Sequence, residues 1–273
     1  MSRIAQTFAR RRAEGRKLLV SFFTAGDPNP DATIPLMHEV VRAGVDIIEL
    51  GVPFSDPMAE GPVIQAACER ALLHHVSLQR VLDMVREFRI HDPHTPVVLM
   101  GYANPVETMG YVRFAEAAAV AGVDGVITVD LPPDEGRELN QALTSRGIDP
   151  VLLVAPTTTP ARLQQICAAA RGFIYYVSLK GVTGAATLDV ADVADKIQEI
   201  RKATTLPIGV GFGIHDAKSA AAVAQVADAV VVGSALVRLV ERHQDDTYKM
   251  REAMADLVAD LRRAIDSLES ARA

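Results

Sequence analysis

The chain has little cysteine, no tryptophan, no long apolar run and no surplus of positive charge. Only Cys68 and Cys167 occur in 273 residues, far apart and each inside an Ala-rich helical pattern. Two such thiols build no disulfide framework. Neither has a C-x-x-C neighbour, which argues against structural zinc and thiol redox chemistry. Buried free thiols in a reducing cytoplasm are the reading they support. No stretch reaches the roughly 18 apolar residues that a membrane helix needs. Lys and Arg number 28 against 34 Asp and Glu, a formal net charge of −6. Such a chain has no electrostatic hold on nucleic acid, and it lacks a basic stripe with interleaved aromatics. The histidines show no metal-ligand spacing: His74 and His75 point apart at a helix end, and His91 and His94 flank Pro93 in a loop.

The N-terminus superficially resembles a targeting signal. Arg10, Arg11, Arg12, Arg16 and Lys17 precede the apolar stretch Leu18–Gly26. Glu14 sits among those bases, and Ser21 and Thr24 interrupt the stretch. A short buried strand is the better reading.

What is present is a repeated alternation. Eight short apolar runs occur at Leu18–Thr24, Ile47–Leu50, Val97–Met100, Gly125–Val129, Val151–Val154, Phe173–Val177, Pro207–Val210 and Ala229–Val232. They are continuous rather than alternating, as strands buried on both faces should be. Helical patterns separate them. One opens at Pro62 with Ile64, Ala67, Ala71 and Leu72 on one face. A long C-terminal one carries Met250, Met254, Leu257, Val258, Leu261, Ile265 and Leu268. The junctions Ala43-Gly44-Val45-Asp46, Ala121-Gly122-Val123-Asp124 and Val226-Ala227-Asp228 echo one another, with glycine ending a helix before the chain re-enters the sheet. Eight such units predict an α/β chain forming a (β/α)8 TIM barrel, a single domain over residues 1–273, of phosphate-binding barrel type. A doubly wound sheet is the alternative.

Two connections are long for a compact domain, Gly51–Gly61 and Ser178–Asp189, and both follow the C-terminal ends of strands, the barrel face that carries active sites. Glycine segments follow the last three runs: Gly181-Val182-Thr183-Gly184, Gly211-Phe212-Gly213 and Gly233-Ser234. The last two lead towards helices, whose N-terminal amides and dipole attract anions. They point to a phosphate-bearing ligand, the alternative being that the glycines only serve turns. Gly209-Val210-Gly211-Phe212-Gly213 has Ile214 where a dinucleotide fingerprint needs glycine, so nicotinamide-dinucleotide binding is rejected.

Glu49 stands in the apolar second run, where burial would raise its pKa towards the range of a general acid–base group. Its alternative is a rim salt bridge. Glu60 ends the proline-stiffened loop that follows and is either a second carboxylate at the mouth or a solvated charge. Phe22, Tyr102, Ile127 and Tyr175 fall on or just after four runs and fit the wall of an apolar pocket for a flat ligand, or plain core.

The segment Glu49-Leu50-Gly51-Val52-Pro53-Phe54-Ser55-Asp56-Pro57 resembles the characteristic segment of the tryptophan synthase alpha subunit family. Gly61-Pro62, Gln65, Tyr102-Ala103-Asn104-Pro105, Gly181-Val182-Thr183-Gly184-Ala185 and Gly211-Phe212-Gly213-Ile214 continue the match in order. The resemblance implies a lyase that cleaves indole-3-glycerol phosphate to indole and glyceraldehyde 3-phosphate. It implies Glu49 and Glu60 as catalytic, with Glu49 the principal acid–base group and the second carboxylate holding the indole N–H. Substrate would meet Phe22, Met100, Tyr102, Ile127, Tyr175 and the lid residue Thr183. Phosphate would meet Gly184, Gly211, Phe212, Gly213, Gly233 and Ser234. A pyridoxal-phosphate-dependent beta subunit would dock on Pro53, Phe54, Asp56, Asn104, Pro105 and Pro132 in an alpha-beta-beta-alpha complex. The cofactor would be the partner's, with none in this chain; Lys180 on the lid reads as a surface charge. The family's usual second carboxylate is Asp, and here it is Glu60; Met100 stands where an aliphatic residue is usual. The competing readings are a non-catalytic activator of the beta subunit, a stand-alone lyase, and another phosphate-binding barrel enzyme such as a sugar-phosphate isomerase.

Overall fold

A computed structural model describes residues 1–178, 190–211 and 213–270. In chain order the strands are β1 (Leu18–Thr24), β2 (Ile47–Gly51), β3 (Val97–Gly101), β4 (Gly125–Thr128), β5 (Asp149–Pro150), β6 (Leu152–Val154), β7 (Ile174–Val177), β8 (Ile208–Gly211) and β9 (Ala229–Val232). The helices are α1 (Arg3–Ala13), α2 (Pro30–Arg42), α3 (Pro62–Leu73), α4 (Leu78–Phe88), α5 (Ala103–Met109), α6 (Tyr111–Ala121), α7 (Arg137–Ser145), α8 (Pro160–Ala169), α9 (Val190–Ala203), α10 (Ala217–Ala224), α11 (Ser234–Arg242) and α12 (Thr247–Ser270). All strand pairs are parallel, in the order β5-β4-β3-β2-β1-β9-β8-β7-β6. The two ends of that order are parted only by Val151, whose N–H donates to the Val126 carbonyl at 3.0 Å. β5 and β6 are therefore two pieces of one barrel strand, and the eight expected runs close into the (β/α)8 barrel. The apolar stretch after the N-terminal arginines is β1, a barrel strand.

Each strand sends alternate residues to the barrel interior and to the helices outside. The interior holds Leu18, Val20, Ile47, Val98, Ile127, Val151, Phe173, Tyr175, Ala229 and Val231. The outer faces pack on α2, α4, α6, α8, α11 and α12 in a larger apolar layer, including the expected stripe Met250, Met254, Val258, Leu261 and Ile265, with Leu257 partly buried beside it. The side chain of Leu268 lies outside what is described. Helix α1 plugs the N-terminal end of the barrel. Its Ile4 and Phe8 join the interior cluster, and Phe8 lies 5.8 Å from Phe173, centroid to centroid.

The echoing junctions do more than end helices. Gly122 does cap α6 at φ +86°, a backbone state that favours glycine. The aspartates that follow form a polar collar around the N-terminal end of the barrel. Asp46 accepts from the Leu19 N–H at 2.9 Å, Asp124 from the Val97 N–H at 2.9 Å, and Asp228 from the Ile208 N–H at 2.9 Å. Each carboxylate satisfies an amide on the neighbouring strand and also meets arginine. Asp46 pairs with Arg11 and Arg262, Asp124 with Arg3 and Arg89, and Asp228 with Arg201.

Candidate active site

The opposite, C-terminal end of the barrel is built differently. Register fixes which side chains reach its mouth: Phe22 on β1 stands beside Glu49 on β2, and Glu49 beside Val98 on β3. Alternation from the interior residues Val20, Ile47 and Val98 carries Phe22, Glu49 and Met100 inward. Ile127 on β4 and Tyr175 on β7 complete the wall. Five of the expected pocket and catalytic residues are thus on the inner surface. Tyr102, two residues beyond Met100, is buried at the rim.

Glu49 is 1% exposed, and neither carboxylate oxygen has a hydrogen-bond partner. Burial, and next the neighbouring charge of Glu60, raise its pKa to about 8. Among the described residues, the rim salt bridge that was its alternative does not form. Glu60 is half-buried, and burial raises it to about 7. The charge of Glu60 acts on Glu49, Tyr175 and Tyr102 alike, so the long loop does bring it back over the mouth. Desolvation also holds the Tyr175 hydroxyl far above its ordinary value, and that of Tyr102 at about 12. At neutral pH the mouth therefore holds a protonated Glu49 facing a partly ionised Glu60, the separation of roles that acid–base chemistry uses.

The loop carrying Glu60 is held at several points. The Ala59 N–H donates to the Tyr102 hydroxyl at 2.9 Å, and Phe54 stacks on the Tyr102 ring at 5.1 Å. The Glu60 N–H donates to the Pro57 carbonyl at 2.9 Å, and Gln65 Nε2 donates to the Glu60 carbonyl at 2.8 Å. Sequence reasoning placed Tyr102 in the pocket wall; its grip on this loop depends on a contact across 43 positions that no local pattern signals. Cys68, read as an inert buried thiol, is free and buried, and accepts a backbone hydrogen bond from Phe54.

Two of the glycines expected to cradle phosphate, Gly211 and Gly233, have a steric role, which Gly209 and Gly51 share. A Cβ on Gly211 would collide with the Tyr175 hydroxyl, and one on Gly209 would lie 3.2 Å from the Phe173 ring. Gly51 and Gly233 similarly border Phe22, at 2.9 and 3.3 Å. These positions are empty of side chain so that the aromatic lining fits. The helix N-termini also differ. Asp216 caps α10 through a reciprocal pair with Ser219, which occupies the amides an anion would use. Helix α11 starts at Ser234, directly after Gly233, and has no side-chain cap. Of the two helices after β8 and β9, only α11 keeps its N-terminal amides free of a side-chain cap. Gly213 is exposed with φ +76°. Thr183, Gly184, Lys180 and Phe212 lie outside the described residues.

The expected docking residues follow β2, β3 and β4, on the same end of the barrel. Asp56 and Asn104 are exposed, Phe54, Pro105 and Pro132 half-buried, and Pro53 buried. Among the described residues no group of three or more His, Cys, Asp or Glu is arranged to hold a metal ion, and no helix is long and apolar enough to cross a membrane.

Comparison with known proteins agrees with this geometry. Residues 8–266 match the family model described as tryptophan synthase alpha chain. A tryptophan synthase alpha chain from Thioalkalivibrio sulfidiphilus is 64% identical over 266 residues, covering 97% of this chain and 100% of that protein. The crystal structure of tryptophan synthase subunit alpha from Legionella pneumophila superposes with a TM-score of 0.91 at 43% identity, over 98% of this chain and 99% of that one. An aminoacrylate-bound tryptophan synthase structure from M. tuberculosis gives a TM-score of 0.85 at 34% identity, over 97% and 100%.

Proposed function

The chain belongs to the tryptophan synthase alpha chain family, and from that membership we propose that it is the lyase subunit that cleaves indole-3-glycerol phosphate to indole and glyceraldehyde 3-phosphate. One observation carries the assignment of roles: Glu49, a carboxyl group 1% exposed and without any hydrogen-bond partner, at the inner C-terminal end of a barrel strand. A buried, unpartnered carboxyl group costs stability. Its presence at the mouth is explained by work on a ligand.

The reaction balances around that one group. Neutral Glu49 donates its proton to indole C3, leaving positive charge on the ring, and becomes a carboxylate. Glu60, ionised at neutral pH more readily than Glu49, faces the developing charge at the indole N–H. The Glu49 carboxylate then takes the proton of the side-chain hydroxyl beside the scissile bond. The O–H electron pair becomes the second C–O bond of the aldehyde, and the C–C pair returns to the ring and restores indole. Glu49 ends protonated as it began. Phe22, Met100, Tyr102, Ile127 and Tyr175 form the apolar wall against the ring. The free amides at the start of α11, with Gly213, Gly211, Gly233 and Ser234, receive the phosphate, joined by Gly184 and Phe212; Thr183 belongs to the lid that shuts out water.

A beta subunit is the partner the family implies. Exposed Asp56 and Asn104, with Phe54, Pro105, Pro132 and the buried Pro53 beside them, form the docking side in this reading, within an alpha-beta-beta-alpha complex. Pyridoxal phosphate belongs to that partner, and this chain is proposed to use no cofactor of its own. A single domain spanning residues 1–273 and a cytoplasmic location complete the proposal. The family membership argues against a sugar-phosphate isomerase.

The test is indole release. The chain contains no tryptophan, so indole-ring fluorescence carries no tryptophan background from it. Slow release that rises sharply with the beta subunit is expected, and Glu49→Gln lowers kcat by about 10²–10⁴-fold. Stable docking without release by the wild-type chain would favour the non-catalytic activator. Fast release indifferent to the partner would favour a stand-alone lyase.

A further inference from the structure

Arg70 is not used by the mechanism above, yet it lies where the parts of the mouth meet. It is on α3, the helix that begins two residues after Glu60. Its Nε and Nη2 donate to the two carboxylate oxygens of Asp27 at 2.7 and 2.9 Å, with side chains 17% and 2% exposed. Asp27 sits in the β1–α2 loop, and that loop is tied to both neighbouring strand ends. The Asp27 N–H donates to the Thr24 carbonyl at 3.3 Å, and the Ala25 N–H to the Gly51 carbonyl at 2.9 Å. Arg70 Nη1 also lies 3.8 Å from Glu241 on α11, whose first residue is Ser234. One guanidinium thus touches α3, α11 and a loop anchored to the end of β2.

A buried ion pair is a poor way to gain stability, because desolvation offsets its attraction and apolar replacements do as well. Burial also holds the Asp27 carboxyl above its ordinary value despite the facing arginine. What a bidentate pair does provide is fixed geometry. A helix is stiff, and Arg70 is about 12 Å along α3 from its start, so a tilt there displaces Glu60 at the other end. The same holds for Glu241 and the anion-accepting start of α11.

We propose that Arg70 is a positioning residue of the lyase site: its bridge to Asp27 and Glu241 sets the distance between the carboxylates, at β2 and the foot of α3, and the phosphate end, at the start of α11. The inference rests on the lyase reading. Its consequence is specific. A substrate that spans both ends feels the distance between them, whereas a fragment that fills one end does not.

The experiment compares the wild-type chain, in complex with the beta subunit, with the double variant Asp27→Asn/Arg70→Met. That variant removes both charges and leaves none buried alone. Expected is a fall of at least about 30-fold in kcat/KM for indole-3-glycerol phosphate, with binding of indole alone and of glycerol phosphate alone changed by less than about threefold. Arg70→Lys should recover part of the loss. Turnover within about threefold of wild type at a temperature where both are folded overturns the proposal, as does equal weakening of fragments and whole substrate. Should the double variant not fold, Glu241→Gln releases only the exposed arm. An increase in KM of about two- to fivefold at unchanged kcat then supports the proposal, and no change overturns it. A wild-type chain that releases no indole defeats the lyase reading itself, which separates that failure from this one.

Discussion

The collar aspartates Asp46 and Asp124 and the mouth's Glu49, buried at opposite ends of the barrel, keep opposite company. At the N-terminal end Asp46 and Asp124 are each met by two arginines and a backbone amide. At the C-terminal end Glu49 is as deeply buried and is met by no donor. The first arrangement makes charge compatible with burial. The second leaves burial unopposed, and so raises the pKa of Glu49 to about 8. Similar side chains, at similar depth, are charge-compatible at one end and held in the acid–base range at the other, and the difference lies in their partners.

The contrast is broken most forcefully at the collar. Asp46→Asn removes the acid that Arg11 and the buried Arg262 share, leaving Arg11 with Glu14 and Arg262 with Asp266, and should cost about 3 kcal/mol of unfolding free energy, the low end for a broken buried pair. Chemical denaturation measures it, and an unchanged midpoint would show the collar to be idle. The equivalent change at the mouth has the opposite sign. Glu49→Gln should stabilise the chain by about 3 kcal/mol at pH 7, while abolishing most turnover. The sign follows from the raised folded-state pKa. At pH 7 the native carboxyl is held neutral while the unfolded one is ionised. The penalty is absent below about pH 4.5, grows as pH rises, and levels off above about 8. The gain from Glu49→Gln should therefore vanish in acid, and a pH series of melting curves tests this. Glu60→Gln should behave alike, levelling off near pH 7.

Finer changes sharpen the picture of the mouth. Gly211→Ala drives a methyl group into the Tyr175 hydroxyl, an overpacking that should cost about 1–3 kcal/mol of stability, read from denaturation midpoints. Tyr175→Phe in the same chain should relieve part of it, the ring Cζ remaining 2.8 Å away, and strict additivity of the two changes would show that they do not touch. The smallest effect concerns the departure from the family's usual aspartate. Backbone bonds to Tyr102 and from Gln65 pin the turn at residues 59 and 60 for the longer side chain. Glu60→Asp should then lower kcat about tenfold, near 1.4 kcal/mol of barrier. An unchanged kcat would mean the turn moves with the side chain.

Much of this was legible in the residues themselves. Continuous apolar runs parted by helical stripes gave the barrel, because strands covered on both faces cannot alternate. Glu49 was legible because a carboxylate inside an apolar strand has few innocent explanations. Glu60 was only half legible, since a loop charge shows nothing of where the loop ends. Gly211 and Gly233 were read as phosphate ligands, while the room that they, Gly51 and Gly209 leave for Phe22, Phe173 and Tyr175 was invisible. The Asp46, Asp124 and Asp228 junctions were seen as punctuation. Their bonds to neighbouring strands, 27 positions away for Asp46 and Asp124 and 20 for Asp228, depend on register.

By itself the sequence determined which segments are strands and helices, that they close into a barrel, and that the second strand carries an acid among apolar neighbours. These follow from short-range patterning and steric preference, which each segment carries with it. Only the tertiary structure decided which acids have partners. The arginines that neutralise the collar come from α1, α9, α12 and the cap that follows α4, distant in the chain, and none reaches Glu49. The pKa of a carboxyl group depends on the solvent it loses and the donors it meets, and both are set when separate segments pack together.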